Sequence, residues 1–319
     1  MRRFAGLWSG GGNKNCRMVL WALGIWFVAG CSKPAKNAGP VAISPPPIPQ
    51  ATPAPKLLVM ATIAPMYCFT KNVVGDLVNV EMIVPAGAPS RGFAPSPEEV
   101  REILQADVVV ENGFGFEGWM DELVARGLKE GAVRVIAARG TGPGIPGLPG
   151  DPNTPPGDAP SATAGPPDAH VWLDPFMAIK EVQNIRDALM ARDPVHADEY
   201  LANENRYEAT LRDLDDEVGR TTVDIAKRRL YCVGGEFTYF LSRYEFPVAG
   251  TVESPSEAVT AVRAGKADAV LAAAGAGNLN GMGVRTVIAD PMESGPASTV
   301  YYENATRTNA AALREGLSR

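Results

Sequence analysis

ADEYLANENRYEATLRDLDDEVGRTTVDI, residues 197–225, is the longest helical pattern in this chain. Tyr207, Leu211, Leu214, Val218 and Ile225 fall on one stripe of it, the spacing of an amphipathic helix. At about 1.5 Å per residue such a helix spans about 40 Å, enough to run beside two lobes and join them. Ahead of it, strand patterns at 56–62 (KLLVMAT), 79–84, 108–111 and 133–136 alternate with helical patterns at 66–74, 96–104 and 117–126. Beyond it the alternation restarts. Strands are expected at 229–233, 246–249, 269–272 and 284–289, and helices at 237–244 and 301–317. Ser96-Pro97-Glu98-Glu99 and Ser254-Pro255-Ser256-Glu257 both read as helix starts, with Ser as N-cap, Pro at the first position and Glu three after the cap. The stretch 273–283 is mostly Ala, Gly and Asn, so any helix there is short or absent. Strands and helices alternating at this spacing imply parallel sheets covered on both faces. The expected fold is therefore α/β, with two lobes, each a parallel sheet flanked by helices around its own core, joined by one long linking helix. The lobes are 56–193 and 227–319, with the linker at 194–226 and a Pro/Gly-rich loop at 139–167 in the first lobe. A ligand site is expected in the crevice at the carboxyl ends of the strands.

The chain has 319 residues, 45% hydrophobic content and a net charge of −6, enough for two lobes. The acidic balance and the lack of a polybasic patch give no reason to expect nucleic acid as a partner. Residues 1–31 read as a targeting segment: Arg2, Arg3, Lys14 and Arg17 precede an apolar run at 19–29, too short to span a bilayer comfortably. The run ends in Val28-Ala29-Gly30-Cys31, which looks like a bacterial lipobox with Cys31 as the lipidated residue. The alternative is an ordinary signal peptide or membrane anchor, but the cysteine at the end of the apolar run favours the lipoprotein reading. Residues 32–55 are rich in Pro and Ala and read as an extended tether. Together these place a folded body outside the cytoplasm, lipid-anchored to a bacterial membrane; a monomer is expected. Cys68 and Cys232 could oxidise there; two separate buried thiols is the preferred reading.

DAHVWLDP, residues 168–175, holds one of the chain's two histidines. His170, flanked by Asp168 and Asp174, can ligate a divalent cation through neutral imidazole, with a carboxylate nearby to fix its tautomer. A lone histidine is more often structural. His196, the other one, reads as solvated, Trp119 and Trp172 as packing in the first lobe, and Glu253 as a helix cap.

Several stretches now resemble, in the same order, the solute-binding lipoproteins of zinc and manganese ABC transporters. They are ATIAPMYCFTKNVVGD (61–76), VPAGAPSRGFAPSPEEV (84–100), ADVVVENGFGFEGWMDELV (106–124), DAHVWLDP, EFTYFLSRY (236–244) and ADPM (289–292). The likeness covers nearly all of 56–319. It implies two lobes bridged by a long helix, a divalent metal ion (zinc or manganese) held between them, and an ABC transporter permease as membrane partner. Such proteins present three His, or two His and a Glu, plus a terminal Asp or Glu. The first position is matched here by Arg91 ahead of Gly92-Phe93, the second by His170, the third by Gly234 and the fourth by Asp290. Two of four ligands are kept.

Zinc wants about four ligands at about 2.0–2.3 Å, so one imidazole and one carboxylate do not make a tight site unaided. Glu236 lies two residues past the vacant third position and is a weak substitute; Cys68 and Cys232 are remoter ones. A guanidinium cannot ligate a cation and stays charged. Arg91 therefore either pairs with Asp290 across the lobes, receives an anion together with His170, or points to water from the rim. The main expectation is a binding protein that captures a divalent cation for a permease. The alternative is a paralogue without metal binding that takes a small anion or serves as an accessory surface lipoprotein. An enzyme is not expected, because no GxSxG, HExxH or phosphate-binding glycine loop accompanies His170.

Overall fold

The structure is a computed structural model and describes residues 56–141, 168–277, 279 and 281–318. The targeting segment with Cys31, the tether and most of the 139–167 loop lie outside the described residues. Strands β1 (Leu58–Ala61), β2 (Asn79–Met82), β3 (Val108–Glu111) and β4 (Val133–Ile136) form one sheet in the order β2-β1-β3-β4. Strands β5 (Leu230–Val233), β6 (Val248–Val252), β7 (Ala269–Ala273) and β8 (Thr286–Ala289) form a second in the order β6-β5-β7-β8. Every pairing is parallel. Burial follows position in the sheet: the central strands VVVE and AVLAA are buried throughout, whereas edge strand β2, NVEM, alternates between exposed and half-buried. That is the signature of a parallel sheet covered on both faces.

The covering helices are α1 (Ala64–Val74), α2 (Pro97–Gln105) and α3 (Gly118–Ala125) in the first lobe, and α6 (Thr238–Arg243) and α7 (Pro255–Arg263) in the second. α4 (Pro175–Arg192) packs on β4 and α1 of the first lobe and on the linking helix α5 (Ala197–Thr222), and α8 (Tyr301–Ser318) closes the chain. The linking helix is thus shorter than 194–226, because Pro194–His196 forms a 3-10 turn ahead of it. Its 26 residues still span about 39 Å at 1.5 Å per residue. The expected stripe of Tyr207, Leu211, Leu214 and Val218 is buried, joined by Tyr200, and Ile225 is buried just past the helix end.

Two expectations need correction. The lobes do not each keep a wholly separate core. One continuous apolar cluster runs from Val59 and Val110 of the first sheet, through Trp172, Leu211 and Leu214, to Leu271 and Leu313. Only the outer layers are private, around Ile103 and Met120 in one lobe and Val259 and Val270 in the other. Helices α1 and α4 pack on the first sheet and α8 on the second, and all three pack on α5, which leaves no apolar boundary between the lobes. The two Ser-Pro helix starts also differ. Ser96 and Glu99 form a full capping box, with Glu99 Oε2 accepting from the Ser96 N–H at 2.6 Å and Ser96 Oγ from the Glu99 N–H at 3.3 Å. Ser254 does not cap; its hydroxyl bonds Ser256 Oγ at 2.8 Å, a local partner that competes with the backbone.

Candidate functional site

At the carboxyl ends of β1 and β3 the strand order reverses, the place where open α/β sheets take ligands. Buried at that place is the Glu117 carboxylate. It accepts hydrogen bonds from Thr62 Oγ1 at 2.7 Å, from the Asn112 N–H at 2.9 Å and from the Gly113 N–H at 3.0 Å. Burial pushes this carboxyl up from its usual pKa, and those hydrogen bonds oppose the rise without cancelling it. Asn112, fixed by that turn, donates from Nδ2 to the Ala169 carbonyl at 2.9 Å. The strand end thereby positions the segment that carries His170. Asp174 and Pro175 then start α4, with Asp174 Oδ1 accepting from the Phe176 N–H at 2.8 Å, an N-cap followed by a proline at the first helical position. His170 is left on the short turn between these two anchors.

The imidazole is buried, 1% exposed, and lies against Phe116 and Trp172 at ring-centroid distances of 5.8 and 4.9 Å. Its Nδ1 faces Asp168 Oδ1 at 2.7 Å, and the same oxygen accepts from the His170 N–H at 3.0 Å. Its Nε2 faces Glu293 Oε1, from the second lobe, also at 2.7 Å. A carboxylate at each nitrogen makes both nitrogens donors, so the ring is an imidazolium in this arrangement. Burial works against that charge, but the hydrogen bonds to Asp168 and Glu293 outweigh it and hold the pKa above the usual histidine value. For Glu293 burial favours the neutral acid, yet His170 and Arg91 together hold the carboxyl below its usual range.

Arg91 reaches the same place from the first lobe. Its guanidinium lies over the Phe116 ring, 4.9 Å from the centroid. Its Nε is 3.4 Å from Glu293 Oε1, and its Nη2 is 3.5 Å from His170 Nε2. The His170 contact is not a hydrogen bond while Nε2 donates to Glu293, since the nitrogen then has no free lone pair. The Arg91 side chain remains 55% exposed, so it is a rim residue with its head turned inward. Ser90 Oγ adds a bond to Glu293 Oε2 at 3.3 Å, and the Gly87 N–H donates to the Ser294 carbonyl at 2.8 Å. Two positive groups, Arg91 and His170, thus face two carboxylates, Asp168 and Glu293.

The other candidate residues lie elsewhere. Of the three readings of Arg91, the pair with Asp290 is not formed, and Glu293 is its partner instead. Asp290 Oδ2 accepts from the Tyr301 hydroxyl at 3.0 Å and its Oδ1 from the Met292 N–H at 2.8 Å, so its carboxylate is engaged within its own lobe. Gly234 has φ 80°, and the carboxylate of Glu236 occupies the room its side chain would need. Glu236 Oε2 is buried without a hydrogen-bond partner. It stays beside Cys232, whose thiol is pushed up to about 12 by burial and then by the Glu236 charge. Cys68 and Cys232 are separate buried thiols. Among the described residues, no group of three or more His, Cys, Asp or Glu side chains is poised to hold a metal ion. His196 is partnered, with Nδ1 2.7 Å from Asp193 Oδ2. Trp172 does more than pack the first lobe, because its Nε1 donates to the Pro291 carbonyl of the second at 3.0 Å.

Sequence reasoning missed Glu293. The signal available was its place three residues after Asp290, at the carboxyl end of the last strand, where side chains enter the crevice. It also missed Glu117 as the prop of the His170 segment.

Comparison with known proteins extends this geometry. The chain is 30% identical over 200 residues to the high-affinity zinc uptake system protein ZnuA of Bacillus subtilis, a match covering 61% of each. It is 30% identical over 200 residues to the manganese ABC transporter substrate-binding lipoprotein PsaA of Streptococcus pneumoniae, again 61% of each. The match therefore spans less than two thirds of the length of these relatives. The solved Zn(II)-bound ZnuA-like domain of Streptococcus pneumoniae AdcA shares the fold, with a TM-score of 0.67 and 24% identity, covering 83% of this chain and all of that one. The model of the zinc-uptake complex component A, periplasmic, matches residues 59–316, and the chain belongs to that family.

Proposed function

We propose that the protein is the extracytoplasmic solute-binding component of a metal-type ABC transporter, and that it captures a divalent cation between its lobes for delivery to a permease. Zinc and manganese are the cargo named for its relatives. The observation that carries the reading is His170: a buried imidazole, fixed at Nδ1 by a carboxylate, whose Nε2 faces a carboxylate of the opposite lobe at 2.7 Å. A carboxylate behind one ring nitrogen orients the other for a metal, and loss of the Nε2 proton leaves a nitrogen and an oxygen donor facing each other across the cleft. Cys31 as lipidation site and residues 32–55 as tether would hold the body near the membrane partner.

The test is a titration of zinc chloride and manganese chloride into the purified protein, followed by calorimetry and thermal melting. Cation binding to the folded state raises the melting temperature by mass action. Stoichiometric binding that disappears in His170→Ala supports the reading; no binding of either metal at millimolar concentration refutes it. A second reading is favoured by Arg91, which brings a fixed positive charge to a position where the family places a ligand. In that case the cleft takes a small anion or only joins the lobes, and wild type binds no metal.

A further inference from the structure

We propose that Glu293 and Arg91 form an interlobe latch that closes the cleft on the protein's own carboxylate, and that cargo enters by taking Glu293 away from Arg91. The latch is visible in the contacts. Glu293, on the loop after β8, accepts from Arg91 Nε at 3.4 Å and Ser90 Oγ at 3.3 Å of the first lobe, besides facing His170 Nε2 at 2.7 Å. One residue further on, the Ser294 carbonyl accepts from the Gly87 N–H at 2.8 Å. The loops 87–91 and 293–294 are therefore pinned together by one backbone and two side-chain bonds that involve no cargo.

Glu293 is the hub of this arrangement. A single carboxylate serves the arginine, the serine and the histidine, and no other side chain of the second lobe bonds any of these three among the described residues. Arg91 is bound by no carboxylate besides Glu293 in that set, and its stacking on Phe116 turns the half-exposed guanidinium toward the cleft. A like charge a few ångströms from an incoming divalent cation opposes its entry, so Arg91 competes with the cargo for the same oxygen. The latch joins the lobes through the protein's own groups and makes the cation site weak and exchangeable. It also assigns to Glu293, not Asp290, the second lobe's contribution to the site. This cargo half rests on the cation reading above, whereas the latch itself does not.

The two halves are tested separately on the full chain. First, deuterium uptake of segments 85–93 and 290–296 is followed in chelator, without metal, for wild type, Glu293→Gln, Glu293→Ala and Arg91→Gln. The latch predicts that uptake in both segments speeds up by about tenfold or more in the Glu293 variants and in R91Q, for each 1.4 kcal/mol of closing energy lost, while β3 and β7 stay protected. Equal uptake in all four proteins, with β3 and β7 protected, overturns it. A variant that loses protection in β3 has unfolded, and the conservative Glu293→Gln then decides. Second, zinc chloride and manganese chloride are titrated calorimetrically. R91Q is expected to bind at least about tenfold more tightly than wild type, and Glu293→Ala more weakly. Unchanged affinity in both variants overturns the cargo half. Absence of binding in wild type and R91Q alike refutes the cation reading and leaves the latch to the exchange result.

Discussion

Gly234 occupies the third ligand position of the family pattern, and its replacement by histidine is not a simple gain of a ligand. Its φ of 80° is one that only glycine adopts freely, and a Cβ there would overlap the Glu236 carboxylate. We expect Gly234→His to destabilise the fold by about 1–3 kcal/mol, read as a lower denaturation midpoint. Adding Glu236→Ala relieves the overlap but not the backbone strain, so the double variant recovers part of the loss. Full recovery would show that strain is negligible, and none would show that Glu236 moves aside unaided. Asp290 gives a second prediction. Its carboxylate is engaged by Tyr301 and the Met292 N–H, so Asp290→Ala should cost about 1–3 kcal/mol in denaturant titrations. Any cation affinity should change far less than in Glu293→Ala, and a larger loss in Asp290→Ala would make Asp290 the ligand.

The elements show which local signals could be trusted and which could not. The capping box at Ser96 is reciprocal, and Ser96→Ala should cost about 1 kcal/mol. The same residue pattern at Ser254 leaves its hydroxyl on Ser256, and Ser254→Ala should fall within about 0.5 kcal/mol of wild type. Denaturation midpoints of the two variants check the contrast; equal losses would mean that Ser254 caps in solution. The sequence states the order and type of the strands plainly, because the apolar runs of β3 and β7 have no other stable use than the middle of a parallel sheet. It also states the linking helix, whose stripe from Tyr207 to Ile225 persists over about five turns. It could not state which side chain of a Ser-Pro start meets the backbone, since a hydroxyl two residues away competes at no cost in sequence pattern. Nor could it state which acid enters the cleft. Asp290 and Glu293 are both carboxylates on one turn, and only the fold of 290–293 turns the first toward Tyr301 and the second toward His170.

At the scale of the whole molecule, buried carboxylates that end β3 and start α4, rather than the cleft side chains alone, set the response of stability to pH. Glu111, 2% exposed at the end of β3, is raised to about 7 by burial and then by the Glu117 charge, although Arg134 bonds it at 3.0 Å and pulls the other way. Asp174, which caps α4, is raised to about 6, again chiefly by burial. For both acids the folded state holds its proton more tightly than the unfolded chain does. Their contribution is then fully present below the unfolded values of about 4 and is lost as pH rises through about 6 to about 7. Each amounts to on the order of 3 kcal/mol at 1.36 kcal/mol per pKa unit. Asp107 and Asp193 act in the opposite sense: their partners outweigh burial and hold them below the usual range, so their contribution is lost in more acidic solution. Stability should therefore peak on the acid side of neutrality, near pH 5, and fall toward pH 8. Urea titrations across that range, run in chelator so that cargo does not interfere, measure it directly. Glu111→Gln keeps an acceptor for Arg134 but has nothing to titrate, so it should flatten the decline above pH 5. A wild-type profile that stays level from pH 5 to pH 8, or a Glu111→Gln profile parallel to it, would show that Arg134 and not burial governs this carboxylate.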